Sequence, residues 1–228
     1  MPVPRPHASP AQPKLPAEAL ARLQALLTQS SHSAHGGRRM LGIVGPPGGG
    51  KSTLAATLHA AAPTQTQVLP MDGFHLANSE LLRLGRRERK GAPDTFDAAG
   101  FAALLQRLRA QDPLGKETIY APRFERALEE PIANAIAIAP SLPLLIVEGN
   151  YLLLDQGPWR QAAPLLDQTW YLDVDDALRR QRLQARHMQF GRSAEQALAW
   201  MEQTDEPNAR LIAHSRARAS WCLAWGAA

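Results

Sequence analysis

Four residues carry the chemistry this chain announces: Lys51 and Ser52, which close the octapeptide GPPGGGKS from Gly45 to Ser52, and two acidic residues further on, Asp72 and Glu148. The octapeptide fits the phosphate-loop (Walker A) spacing G-x-x-x-x-G-K-[ST] and follows an apolar run, Met40 to Val44. Glycines let consecutive backbone N–H groups curl around phosphate oxygens, the lysine reaches the outer phosphates, and the hydroxyl takes a magnesium ion. Pro46 and Pro47 have no amide hydrogen, so the donors must come from Gly48, Gly49, Gly50, Lys51 and Ser52, the last of them at the positive end of the following helix. Gly45 opens this nucleotide-binding set and Thr53 closes it. The expected ligands are ATP and Mg2+.

A phosphate loop does not by itself separate a kinase from a switch GTPase or a motor ATPase, so the other polar strand ends must decide. Glu148 ends the apolar run Leu144 to Val147, the place of a second acidic group that holds Mg2+ or its waters opposite Ser52. Asp72 ends the strand after the phosphate-loop helix, where chain geometry sets its carboxylate near the γ-phosphate. A carboxylate there orients an acceptor hydroxyl and takes its proton as the phosphoryl group leaves ATP. No N-K-x-D string surrounds any of the four lysines, Lys14, Lys51, Lys90 and Lys116, so guanine selection of the usual GTPase kind is absent.

The elements that must position these groups read as alternating strands and helices. Leu20, Leu23 and Leu27 give an amphipathic helix after Pro16. Lys51 to Ala61 is the helix after the loop, Gln67 to Met71 a short strand, and Asn78 the cap of a short helix running to Gly85. Asp97 is the N-cap of a helix whose buried face is Phe101, Leu104, Leu105 and Leu108. YAPRFER and IANAIAIAP read as two short strands or a hairpin outside the main sheet. Leu144 to Val147 and Trp170 to Val174 are further strands, and the latter leads into an arginine-rich helix, Asp176 to Gln189. Ser193 with Gln196 makes a capping box, Asn208 to Arg218 looks helical, and Trp221 to Trp225 is a last strand. This pattern predicts an α/β fold, a doubly wound and mainly parallel five-stranded sheet with its ligand beyond the carboxyl ends of the strands.

The chain has 228 residues, 45% apolar and 20% charged, enough for one core: a proline-rich tail over 1–15 and one domain over 16–228. A formal charge of +4 raises nucleic acid as a partner, but the positive residues are scattered and no nucleic-acid module is present, so none is expected. The single cysteine, Cys222, reads as a small core residue and requires no oxidising compartment. No apolar run is long enough to span a bilayer, and the expected setting is cytoplasmic, with no membrane insertion. A homodimer is compatible with the sequence.

The motifs also resemble a known family. MDGFH, RKGAPDTFD and IVEGNYLLL are similar to segments of the phosphoribulokinase, uridine kinase and type I pantothenate kinase group of P-loop kinases, over about Met40 to Arg218. YAPRFER and a D-x-P-N segment add a likeness to its nucleoside/nucleotide kinase-like, fructose-transport-associated subgroup. The resemblance implies ATP-dependent phosphorylation of a small molecule's hydroxyl, with Asp72 as base and Glu148 near the metal. It further implies that about 176–192 is a lid that closes on ATP, with Arg182 and Arg186, one turn apart, reaching phosphate. His187 stands where uridine kinases usually have aspartate after the second arginine. His75, Lys90 and Arg123 are the candidates to face a nucleoside, pantothenate-like or sugar acceptor, and Asp205 and Asn208 to border the adenine, Asp205 equally suiting a helix cap. The alternative reading is a nucleotide-dependent regulatory ATPase or protein-binding module.

Overall fold

The computed structural model describes residues 14–32 and 37–226. Of the proline-rich stretch over 1–15 only Lys14 and Leu15 fall among them, and Leu15 packs on the core. The strands are β1 (Arg39–Val44), β2 (Thr66–Pro70), β3 (Ile119–Glu125), β4 (Glu130–Ile138), β5 (Leu144–Gly149), β6 (Gln168–Asp173) and β7 (Trp221–Ala224). Five of them form one sheet in the order β2-β5-β1-β6-β7, parallel throughout, and β3 with β4 forms a separate antiparallel hairpin. The helices are α1 (Ala17–His32), α2 (Lys51–Ala61), α3 (Asn78–Arg83), α4 (Ala98–Ala110), α5 (Asp176–Gln189), α6 (Ala194–Trp200) and α7 (Glu206–Ala213).

The period-2 alternation of the central strands builds two cores, one on each face of the sheet. Leu41, Ile43, Leu144, Ile146, Trp170 and Leu172 face Leu23 and Leu26 of α1 and Leu54 and Leu58 of α2. Met40, Val44, Leu69, Leu145, Val147 and Tyr171 face the other way, onto Phe101, Leu105 and Leu108 of α4 and onto Ile119, Ala121, Ile136 and Ile138 of the hairpin. Every residue of β5 is buried, which its unbroken apolar run requires, and that strand lies between β2 and β1.

Three strand ends therefore meet at one edge. Ile43 and Pro70 both pair with Glu148, so the phosphate loop leaving β1 and the turn leaving β2 flank the glutamate at the end of β5. That turn, Met71–Phe74, is 3-10, so β2 stops at Pro70 and Asp72 sits inside the turn and not at a strand end. Two glycines let it come so close. A Cβ on Gly149 would lie 2.6 Å from Met71 Cβ, and one on Gly73 would lie 2.3 Å from the Pro122 carbonyl oxygen of β3. The turn carrying Asp72 is clamped between the sheet and the hairpin.

Four local expectations are corrected. Asn78 does not cap α3 but begins it; its amide is satisfied instead by the Glu130 carboxylate of β4 at 3.0 and 3.1 Å. The helix expected over Asn208 to Arg218 starts earlier, at Glu206, and ends at Ala213, with a short 3-10 turn at Arg216–Arg218. A π-helical turn, Met201–Asp205, precedes it, and the Asp205 side chain makes no cap there. Cys222 is exposed, because β7 is the edge strand and only its alternate residue Leu223 turns into the core. The Ser193 and Gln196 capping box is present at the start of α6.

The clamp makes a test. Gly73→Ala drives a methyl into a backbone carbonyl, an overpacking cost of about 1–3 kcal/mol. In a domain of this size that lowers the melting temperature by about 2–4 °C per kcal/mol. Calorimetry on Gly73→Ala beside the parent protein measures it. Equal melting temperatures for variant and parent overturn the clamp.

Candidate active site

The phosphate loop turns from β1 into α2 with Gly48 at φ 78 and Gly50 at φ 87, and Gly45 lies against Leu172 of β6. Gly49 hydrogen-bonds back to the Pro46 carbonyl at 3.0 Å, and the Lys51 ammonium donates to the same carbonyl at 3.1 Å. Lys51 is buried, and loss of hydration pushes its pKa down to about 8 against the opposing pull of Glu148 and Asp72. Ser52 Oγ donates to Glu148 Oε1 at 3.0 Å. Burial, and after it the charge of Asp72, pushes the Glu148 carboxyl above its ordinary range. Thr53 is exposed on the first turn of α2.

Lys51, Ser52 and Glu148 line one cavity of about 260 Å³ together with Asp72, whose side chain is 32% exposed and so open to a ligand. Arg126 Nη2 reaches Asp72 Oδ2 at 3.4 Å. His75 lines the same space and stacks on Phe96 and Phe124, with ring centroids 3.9 and 4.7 Å away. Its Nδ1 lies 2.8 Å from the Asp72 carbonyl oxygen, which only accepts, so Nδ1 carries the proton. Burial lowers its pKa, leaving a neutral ring with Nε2 bare.

The expected lid arginines separate. Arg186 turns into the cavity, where burial and the charge of Arg126 lower its pKa. Arg182 instead donates to the Gly226 carbonyl at 3.4 Å and lies beside Gly50, so the two guanidiniums do not converge. Lys90 lines the cavity but its ammonium is engaged, by Asn78 Oδ1 at 2.8 Å, by the Glu129 carbonyl and by the face of Phe124. Arg123 does not line it. Arg123 is exposed on β3, and Arg126, three residues on and just past the strand's end, is the arginine that enters.

Asp205 and Asn208 line this same cavity, with Lys90 and Gly91 also on its wall. Asp205 accepts from His187 Nε2 at 2.7 Å, and Asn208 and Tyr151 both donate to the Gly91 carbonyl, at 3.4 and 2.5 Å. Arg126, Arg87, Arg192, Trp200 and Asn150 were missed from the sequence. A second arginine in YAPRFER is the one available signal, since residues three apart on an extended chain face opposite ways.

A phosphate loop at the carboxyl edge of a 2-5-1-6-7 parallel sheet, faced by acidic strand ends and an arginine helix, defines a P-loop kinase. No protein-family model matches the chain. A candidate uridine kinase of Schizosaccharomyces pombe is 38% identical to it over 180 residues, covering 75% of each protein. The ATP-dependent kinase YFH7 of Zygosaccharomyces rouxii is 30% identical over 178 residues, 64% of this chain and 47% of that one. Among solved structures, a candidate fructose transport system kinase from Silicibacter sp. TM1040 aligns with a TM-score of 0.79 and 37% identity, over 90% of this chain and 98% of that one. The chain belongs to the phosphoribulokinase and uridine kinase-like family of P-loop kinases. No helix among the described residues is long and apolar enough to cross a membrane.

The Lys51 environment sets a pH dependence. Phosphate binds the ammonium form and raises its pKa, so this group adds no pH dependence to ATP affinity below about 8. As pH rises through 8 the free protein loses the Lys51 proton, and affinity falls by up to about tenfold per pH unit. Titration calorimetry at pH 8.5 in buffers of different ionisation enthalpy should show proton uptake on ATP binding that Lys51→Met abolishes. Equal uptake in both proteins overturns the assignment.

Proposed function

We propose that the protein transfers the γ-phosphoryl group of ATP to a hydroxyl of a small acceptor, of nucleoside, pantothenate-like or sugar type, with Asp72 as the base. The observation that carries this is the sharing of one cavity by Asp72, Lys51, Ser52 and Glu148. Asp72 accepts the proton as the acceptor oxygen forms its bond to the γ-phosphorus and the bridging bond to the β-phosphate oxygen breaks, releasing ADP. Lys51 and Arg186 meet the charge on the transferred group, and the backbone donors of Gly48 to Ser52 hold the outer phosphates. His75, with Nε2 bare, accepts a hydrogen bond from the acceptor and keeps the Asp72 turn in place through Nδ1.

Mg2+ fits the donor set. Such an ion is held by one or two protein oxygens and otherwise by phosphates and waters, and Ser52 Oγ with Glu148 Oε1, 3.0 Å apart, supplies that pair. When bound, the ion neutralises charge developing between the β- and γ-phosphates. No cluster of three metal-ligating side chains occurs among the described residues, which agrees with an ion carried in with the nucleotide.

Coupled ADP release with Mg-ATP, screened over nucleosides, pantothenate, sugars and sugar phosphates, tests the reading. Asp72→Asn should lower acceptor-stimulated kcat by about 10²- to 10⁴-fold while ATP still binds. A variant within twofold of the parent would sink the assignment of the base. ADP release that no small molecule stimulates, with nucleotide-dependent capture of a protein partner, would favour a regulatory ATPase instead.

A further inference from the structure

The cavity has two charged ends. At one, Lys51 is surrounded by Glu148, Asp72, Arg186 and Arg126. At the other, burial lowers the pKa of Lys90 and Arg192, with Glu129 and Arg87 as charged neighbours of both, and His75 between the ends senses both Asp72 and Lys90. The nucleotide's phosphates occupy the first end. The second end gathers three cations, Arg87, Lys90 and Arg192, beside two carboxylates, the exposed Glu129 and the buried Asp205.

Two of these cations are held ready and unsatisfied. Arg86 and Arg89, one residue before and two after Arg87, both pair with Asp94, whereas the Arg87 guanidinium has no hydrogen bond or ion pair to any described residue and lines the cavity. Arg192 lies over the Trp200 ring, 4.0 Å from its centroid. Its Nη1 donates to His187 Nδ1 at 2.8 Å, and since arginine only donates, His187 keeps its proton on Nε2, which goes to Asp205. Stacking and this relay fix the guanidinium plane, and its other donors have no partner among the described residues.

Resting on the kinase reading above, we propose that the acceptor is an anionic hydroxyl compound, a carboxylate or a phosphate ester, whose charged group is gripped by Arg87 and Arg192 while its hydroxyl meets Asp72. Guanidiniums in pairs suit planar or tetrahedral oxyanions, and a neutral polyol would leave their charge uncompensated. The cavity of about 260 Å³, which the acceptor shares with the outer phosphates, is below the usual range of about 300–1,000 Å³ and so favours a short acceptor such as a small sugar acid or sugar phosphate.

The test is coupled ADP release over matched sets: C3 to C6 sugars, the corresponding sugar acids, the corresponding sugar phosphates, and uridine. An anionic member should exceed its neutral parent in kcat/KM by about 100-fold, and the acid and phosphate arms identify which anion is bound. Arg87→Gln and Arg192→Gln should each raise acceptor KM about 10- to 100-fold, the range of a lost charge-assisted hydrogen bond, with KM for ATP moving far less and Arg87→Lys recovering part of the loss. Neutral sugars or uridine turned over as well as the anions, or variants that leave acceptor KM unchanged, overturn this proposal and leave the kinase reading standing. No acceptor-stimulated ADP release from any compound overturns both.

Discussion

Lys51 lies out of water against two carboxylates, and much of the site follows from making that burial tolerable. An unpaired buried ammonium costs several kcal/mol, and even a paired one regains its hydration only in part, which is why the lysine holds its proton loosely. Glu148 and Asp72 supply the opposing charge, and burial first, then the charge of Asp72, makes Glu148 hold its own proton more tightly. Arg186 and Arg126 then enter beside them. Three cations against two carboxylates leave the ligand-free pocket positive, and a nucleotide's phosphates are what that excess suits.

The arginine helix divides its labour along its length. Arg179, near the start of α5, is almost fully buried: it bonds Asp176, the Pro47 carbonyl of the phosphate loop and the Glu206 carboxylate of α7. Arg180 reaches the same glutamate. The first turns of the helix are thus fastened to the loop, and Gly48 admits them, since a Cβ there would lie 2.6 Å from the Arg179 carbonyl oxygen. Functional freedom is left to the last turns, where Arg186 faces the cavity and His187 joins the π-helical turn through Asp205. π-Helical turns are energetically poor and concentrate at functional sites, and here the turn brings Asp205 and Asn208 onto one wall.

The fold was legible because its signals are local. An unbroken apolar run such as Leu144 to Val147 can only be a strand covered on both faces, and an apolar strand followed by GPPGGGKS and a helix has one arrangement around phosphate. Asp72 and Glu148 were legible for the same reason, since strand ends in a parallel sheet all point to one edge. What was not legible depends on register and on distant partners. Arg126 and not Arg123 enters the cavity because residues three apart on an extended chain face opposite ways, and the hairpin's register, which takes up two extra residues on β4 between Ile132 and Ile136, is not written in the local sequence. Asn78 does not cap its own helix because Glu130, 52 residues away in sequence, does so. Cys222 is exposed because β7 is an edge, a fact about sheet order that a four-residue strand does not contain.

The same distinction separates the chemistry from its substrate. Phosphoryl transfer is assembled from three neighbouring strand ends, whose backbone geometry is common to the sheet. The acceptor wall is assembled from the Arg87 to Gly91 segment, the hairpin turn, and the π-helical turn, which share no strand and meet through backbone carbonyls. The Gly91 carbonyl takes Tyr151 and Asn208, and the Glu129 carbonyl takes Lys90. Bonds to backbone atoms fix where a segment lies without fixing which side chains it bears, so the wall's charge can change while the edge below keeps its geometry. The close backbone contact of Gly73 with Pro122 links them, tying the hairpin's position to that of Asp72. A change of acceptor therefore needs new side chains on a hairpin that stays where it is.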